Sequence, residues 1–366
     1  MKIALLTYHR SYNYGAMLQA VATRIALQQL GHDVYYINYW PEHQRVLYRD
    51  QPIIKAIKYY LKYAPLRILA IPHKLLWQSI RRYKYKKFIK KYIAPFYGVN
   101  DWEYDVLVCG SDQIWRKQPV TGKYNPYYFG DNDIKAPIKL SYASSMGTIP
   151  QSAEDKIVVS ELLKNLDFIS VREIDLRDYI QKCIRRSAVQ VLDPTLLLTA
   201  KQWRQCLSFE KKQMLTKYLL VYDLGQKFKK DEISKFAEKN HLSVVETIPW
   251  CELHEQQLKP AIDDPLDFIR LIDNASFVLT SSFHGMAFSI VFGKPFYVTS
   301  SSNTNRFISL LESLNLQERW LEDTDVSKLK CLPLDYNPVK RKLGELTDYS
   351  ISYLKEHIKS DLKNGK

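Results

Sequence analysis

The chain has no apolar run approaching the about eighteen residues that cross a bilayer, so a soluble or peripheral protein is expected rather than a membrane-spanning one. Residues Met1 to Tyr8 form too short an apolar stretch for a secretory signal and carry no small-residue cleavage site; they read as a first buried strand. Cysteine is sparse and unpaired in pattern. Cys109, Cys183, Cys206, Cys251 and Cys331 are scattered and show no CxxC or Cys/His spacing, which argues against a disulfide framework and a zinc site and points to a reducing cytoplasm. No GxGxxG fingerprint supports a dinucleotide, and no internal repeat or low-complexity tract is present.

Acidic residues are missing from one stretch in particular. Between Gln44 and Tyr92, fourteen Lys or Arg face the single acid Asp50, which accounts for nearly all of the net charge of +14. Apolar and aromatic residues recur there at helical spacing (Ile53, Ile57, Tyr60, Leu61, then Leu75, Leu76, Ile80, Tyr83), and Pro52, Pro65, Pro72 and Pro95 divide the stretch into about two helices. A basic, aromatic, amphipathic insertion over about 44–95 suits the anionic face of a membrane, with Trp77 and the tyrosines at the boundary. A solvated helical hairpin packed on the domain accounts for the same pattern. Nucleic acid is not expected, because no recognised binding motif accompanies the charge.

What remains is a globular composition of 366 residues, 46% hydrophobic and 25% charged, long enough for two domains. The opening strand, a helical period through Met17, Leu18, Val21 and Ile25, and a strand at 34–37 form a β-α-β unit. Strands are expected at 104–109, 138–142, 168–171 and 189–192, with a domain boundary at Asp193-Pro194-Thr195. The second half restarts with strands at 218–222 and 242–245, a helix capped by Asp264 ahead of Pro265, and a strand at 277–279. The expectation is α/β: a first Rossmann-like domain over 1–195, a second over 196–335, and a helical segment over 336–366 returning to the first.

The segment Thr280-Ser281-Ser282-Phe283-His284-Gly285 carries the clearest chemistry. It places an imidazole where a strand ends and a helix begins, at the carboxyl edge of the sheet where ligands bind and helix N-H groups attract anions. His284 is therefore a candidate active-site acid, and Ser281 and Ser282 are candidate phosphate ligands or plain helix caps. The loop Ser11-Tyr12-Asn13-Tyr14-Gly15 could cradle an anionic donor or acceptor, with Asn13, Tyr14 and Gly15 as its candidates. Asp112 and Gln113, on a second loop after a strand, suit sugar hydroxyls or the role of base, and Trp115 suits a sugar face or the core.

Together these segments resemble the polysaccharide pyruvyl transferase family across most of the chain. The resemblance rests on Thr7-Tyr8-His9 through Asn13-Tyr14-Gly15-Ala16-Met17-Leu18-Gln19, on Cys109-Gly110-Ser111-Asp112-Gln113-Ile114-Trp115, and on Tyr142-Ala143-Ser144-Ser145-Met146-Gly147. It continues through Ser170-Val171-Arg172-Glu173, Leu192-Asp193-Pro194-Thr195-Leu196-Leu197, and Ser281-Ser282-Phe283-His284-Gly285 followed by Phe292-Gly293-Lys294-Pro295-Phe296.

The resemblance implies a GT-B-like fold of two Rossmann-like domains. It also implies transfer of a carboxyethylidene group from phosphoenolpyruvate to two hydroxyls of one sugar, with phosphate release and without metal or cofactor. That chemistry needs an acid to protonate the enol carbon and Arg forks to grip carboxylate and phosphate. By resemblance His284 is the acid, kept protonated by nearby anions, and Arg172 and Arg306 bind the donor. Many bacterial relatives carry Arg in a Ser-x-Arg-x-His pattern where this chain has Ser282 and Phe283, so its cations must come from elsewhere. Lys294 is expected to end its helix or face solvent. The basic insertion adds a carrier hypothesis: an acceptor sugar linked to undecaprenyl diphosphate, at the inner face of the cell membrane. Two rivals stand beside this reading: a nucleotide-sugar glycosyltransferase, and a non-catalytic polysaccharide or membrane binding protein.

Overall fold

The computed structural model describes residues 1–47, 57–58, 61–63, 69, 71–98, 103–119, 121–211, 216–249, 263–300, 304–322 and 324–359. Pro52, Pro65, Cys251 and part of the loop ahead of Arg306 lie outside the described residues.

The first half builds a parallel sheet from β1 (Lys2–Leu6), β2 (Asp33–Tyr36), β3 (Val106–Cys109) and β4 (Ile138–Ser141), ordered β2-β1-β3-β4. Two short parallel strands, β5 (Ser170–Val171) and β6 (Val189–Gln190), join it through single bridges from Leu140 to Phe168 and from Ser144 to Val171. The second half builds another parallel sheet from β7 (Tyr218–Tyr222), β8 (Ser243–Glu246), β9 (Phe277–Thr280) and β10 (Phe296–Val298), ordered β10-β9-β7-β8. The protein is thus α/β with two Rossmann-like sheets. Strand β10 is absent from the sequence reading, because three residues after Pro295 are too few to show a period.

The runs at β3 and β9 are wholly buried, as parallel strands covered on both faces must be. Chain order reverses between β1 and β3 in one sheet and between β7 and β9 in the other. Such reversals open a crevice beyond the carboxyl ends of the strands, where ligands bind in open α/β sheets. The loops after β1, β3 and β9 are the ones that carry Asn13, Asp112 and His284.

One core runs through both halves. The first helix, Tyr14–Gln29, is capped by Asn13 and buries its opening residues against the second half. Tyr14 stacks on Phe268 with ring centres 4.7 Å apart, and its hydroxyl donates to the Ile248 carbonyl at 2.6 Å. Phe268 sits in the helix Pro265–Asn274, whose Asp264 forms a capping box.

The described part of the basic segment is dominated by one unbroken helix, Ile71–Tyr92. Pro72 falls in its first turn, where a missing donor costs nothing, so this proline does not divide it. The helix buries Arg81, Tyr85, Phe88 and Tyr92, while Leu76 and Tyr83 stay 55% and 67% exposed beside exposed Lys86, Lys87 and Lys90. Lys84 leaves that outer face and pairs with Asp267 of the second half at 2.8 Å. Among the described residues no helix is long and apolar enough to cross a membrane.

The last helix, Tyr336–Lys359, begins beside the second sheet and ends on the first. Tyr336 donates to the Lys294 carbonyl, Tyr353 donates to the Ser141 carbonyl at 3.1 Å, and the His357 ring stacks on Phe168.

Candidate active site

His284 is the second residue of the helix Phe283–Val291, which Ser282 caps from extended backbone by accepting from the Gly285 N-H. The imidazole is 6% exposed. Its Nε2 is buried without a hydrogen-bond partner among the described residues, 3.8 Å from Asp193 Oδ2. The other side of the ring lies against Gly15, where an added Cβ would collide with Nδ1, Cγ and Cβ of His284. Gly15 therefore leaves room for the histidine ring.

Arg172 follows β5 and is 4% exposed. Its Nη1 donates to Asp193 at 2.8 Å, Nη2 lies 3.8 Å from Asp112, and Nε lies 3.7 Å from Glu173. Nε and Nη2 make no hydrogen bond. The structure puts the guanidinium in the interior. Burial disfavours its charge, but Glu173, Asp193 and Asp112 together raise its pKa above the usual arginine value.

Phe283, the residue before the histidine, is a platform for both cations. Arg172 lies over its ring at 4.6 Å and Arg306 at 5.6 Å. Arg306 comes from the helix Asn305–Leu314, and its Nε is buried without a partner among the described residues. Burial, reinforced by Arg172, lowers its pKa to about 10.

Asp193 is the residue the sequence reading placed at the domain boundary and gave no chemical role. Its carboxylate is 1% exposed, accepts from Arg172 and from Thr195, and approaches Ser111 Oγ at 3.2 Å. Burial opposes its charge, yet His284, Arg172 and Thr195 hold its pKa below the ordinary value. Ser111 is tied in turn to Gln19, whose amide reaches Thr7, so the loops after β1 and β3 are locked together beneath the site. Glu173 is a second missed carboxylate: it is 4% exposed, accepts from Ser145, keeps Oε2 unpartnered, and has its pKa raised by burial. The post-strand position of Leu192-Asp193-Pro194-Thr195 was the available signal for Asp193.

The imidazole departs from expectation. Burial lowers its pKa below the usual value; Asp193 and Asp112 oppose this, while Arg172 and Arg306 add to it. Without a bound anion the ring is biased towards its neutral form.

Two cavities flank this cluster. The front one, about 390 Å³, lies between the loops of the two sheets and is lined by Asn13, Asp112, Gln113, Ser282, His284 and Arg306; Ser281 is also on its wall. The rear one, about 520 Å³, is lined by Arg172, Asp193, Phe283 and Arg306. Phe283 and Arg306 face both.

The remaining candidates are placed as follows. Ser281 donates to Asp223 at 2.6 Å and accepts from Gly225 N-H, so its hydroxyl is engaged within its own half. Asp112 adopts φ 74° and accepts from the Gln113 N-H at 2.8 Å. Asn13 caps the first helix at the rim of the front cavity. Tyr14 is wholly buried between the halves and is not a ligand residue. Trp115 is fully buried, stacks on Phe129 and donates to the Tyr128 carbonyl at 2.9 Å, so it fills core and offers no sugar platform. Lys294 does not face solvent: it is 8% exposed, donates to the Ala275 carbonyl at 3.0 Å, and burial lowers its pKa to about 8.

A family model described as polysaccharide pyruvyl transferase matches residues 13–303. The chain belongs to the polysaccharide pyruvyl transferase family. Membership makes it an enzyme, a pyruvyltransferase acting on polysaccharide. His284, Arg172 and Asp193 fall inside the matched region and Arg306 just beyond it. No curated protein matches the chain significantly. Solved structures similar to this pyruvyl transferase include Spinosyn Rhamnosyltransferase SpnG, at 12% identity over 98% of this chain and 96% of that one, TM-score 0.39. The UDP-GlcNAc 2-epimerase from Neisseria meningitidis bound to UDP-GlcNAc is similar at 12% identity over 97% and 100%, TM-score 0.43. A UDP-glucosyltransferase from Polygonum tinctorium is similar at 12% identity over 98% and 97%, TM-score 0.43.

Proposed function

We propose that this pyruvyl transferase moves a carboxyethylidene group from phosphoenolpyruvate onto two hydroxyls of one sugar and releases inorganic phosphate. The observation that carries the reading is a convergence of unpartnered donors around Phe283: Nε2 of His284, Nε and Nη2 of Arg172, and Nε of Arg306. Buried donors without partners are costly, and a carboxylate and a phosphate on one small molecule would satisfy them. The same anion would offset the burial that keeps His284 neutral, so donor binding itself charges the acid.

The charged imidazole then gives its proton to the methylene carbon, and the electron-poor C2 is attacked by the first sugar hydroxyl. Asp112, a carboxylate on the front wall, is positioned to take that hydroxyl's proton. The C2–O bond to phosphate breaks with its electron pair leaving on phosphate, and the second hydroxyl closes the ketal and loses its proton. One donor and one diol thus give one ketal and one inorganic phosphate. The amides of Asn13, Gln44, Gln113 and Gln118 line the front cavity and suit an acceptor rich in hydroxyls.

The acceptor is carried on a lipid diphosphate such as undecaprenyl diphosphate. This part of the reading is supported by the exposed Leu76, Tyr83, Lys86, Lys87 and Lys90 of the basic helix and by Gln44, from the same segment, in the front cavity. The test is to offer purified protein phosphoenolpyruvate with lipid-linked and simple galactosides. Phosphate release matched by an acceptor mass gain of one carboxyethylidene group is expected. Release of a nucleoside diphosphate from a nucleotide sugar would replace this reading with a glycosyltransferase.

A further inference from the structure

The rear cavity, about 520 Å³, holds Arg172, whose free N-H groups the donor would engage, but the transfer reaction as written above gives no task to the rest of it. Its charged lining is Arg172, Arg306 and Arg177 with the single carboxylate Asp193, and that carboxylate is already committed to Arg172 at 2.8 Å. Arg172 opens on this chamber and not on the front cavity, and its Nε and Nη2 are buried without hydrogen-bond partners. Leu310 and Leu346 supply apolar wall, and Ser313 stands on the side formed by the helix Asn305–Leu314. A chamber with three guanidiniums, one engaged carboxylate and unpartnered buried N-H groups has the chemistry of a phosphate-class anion site.

We propose that this rear chamber receives the phosphoryl group of the donor and is the route by which inorganic phosphate leaves. The inference rests on the transfer reading above and adds the direction of traffic. Two hydroxyls of the same sugar are used in succession, so when the C2–O bond to phosphate breaks the acceptor is still covalently attached and fills the front cavity. The departing anion then needs a second opening. Phe283 and Arg306 border both chambers, Arg172 lies over Phe283 on the rear side, and Arg177, partly exposed and paired with Asp178, lines the same rear chamber. Phosphate would pass outward along these cations.

The test titrates inorganic phosphate into the full-length protein by calorimetry, at fixed ionic strength, with no acceptor present. Ser313→Trp fills the rear chamber and should weaken phosphate binding about tenfold or more; Arg177→Glu, at a partly exposed position where folding is not at stake, should weaken it about fivefold. Circular dichroism checks the fold, and if Ser313→Trp is unfolded Arg177→Glu decides alone. Unchanged affinity in the folded variants, or no phosphate binding by the wild type, overturns the proposal. The readout is independent of turnover: phosphate binding lost in these variants, from a protein that transfers nothing to any sugar, would sink the transfer reading and leave the anion chamber standing.

Discussion

Gly15 and His284 come from opposite halves of the chain and meet so closely that no side chain fits at position 15. The first turn of one helix is thereby seated against the imidazole that opens another. Gly15→Ala should raise the intrinsic helical preference of its own helix by about 1 kcal/mol, yet the new methyl must push the ring aside. We expect helix content by circular dichroism to be retained and kcat/KM to fall by about a hundredfold or more. Full activity in this variant would show that the ring works from another position.

His284→Asn removes the acid while keeping a polar side chain of similar reach. Phosphate release should drop by about two to four orders of magnitude, with binding of phosphoenolpyruvate changed far less. If binding of the donor disappears together with turnover, the residue holds the substrate and does not protonate it.

Asp193 bears on when that acid is charged. In the proposed reaction the protonated ring is the active form, so kcat/KM should fall as pH rises through its pKa. Burial depresses that pKa and Asp193 opposes the depression. In Asp193→Asn the descending limb should move to lower pH, and the KM for phosphoenolpyruvate should rise because Arg172 loses its anchor. A limb that stays in place would rule out the coupling between the two residues.

The sheets were readable from the sequence because buried parallel strands leave short apolar runs followed by small or polar residues, as at 104–109 and 277–279. Candidate chemistry was readable where an unusual residue sits on a loop after a strand, as at Arg172 and His284. Sequence does not reveal which way a loop residue points. Tyr14 and Trp115 lie next to Asn13 and close to Asp112 in the sequence, but their rings turn into the core. Asp193, beside a proline, has the signature of a turn, and only the fold brings it to Arg172 and His284. Lys294 looked like a solvent-facing helix end because nothing local announces the Ala275 carbonyl that receives its ammonium.

A second histidine gives a pH signature of folding rather than catalysis. His9 is 1% exposed, and burial pushes its pKa down to about 4, outweighing the bond to the Thr7 carbonyl. Below about pH 6.5 the unfolded chain binds a proton that the folded chain refuses until about pH 4. Its contribution to stability is therefore full above pH 6.5 and lost as pH falls to about 4, by roughly 3 kcal/mol. Urea unfolding at both ends of this window should show that loss in the wild type and a smaller one in His9→Phe, which keeps a ring against Tyr36. Equal slopes would remove His9 from the account.

The basic helix separates two roles that its composition merges. Charge reversal at Lys86, Lys87 and Lys90 should lower sedimentation with phosphatidylglycerol vesicles, most clearly at low salt. Lys84→Ala should leave vesicle binding nearly intact and loosen the contact with Asp267. Vesicle binding indifferent to all three reversals would discard the membrane surface.

The terminal helix has a mechanical consequence for the enzyme as a whole. Because it is fastened near Lys294 at one end and to Ser141 and Phe168 at the other, it spans both sheets like a backbone brace on a hinged book. Any widening of the crevice to admit a bulky saccharide must turn about the braced side, so the mouth gapes furthest where the brace is absent. Cutting the chain before Tyr336 should loosen the covers on that side and leave the shared core and the Tyr14–Phe268 stack to hold them together.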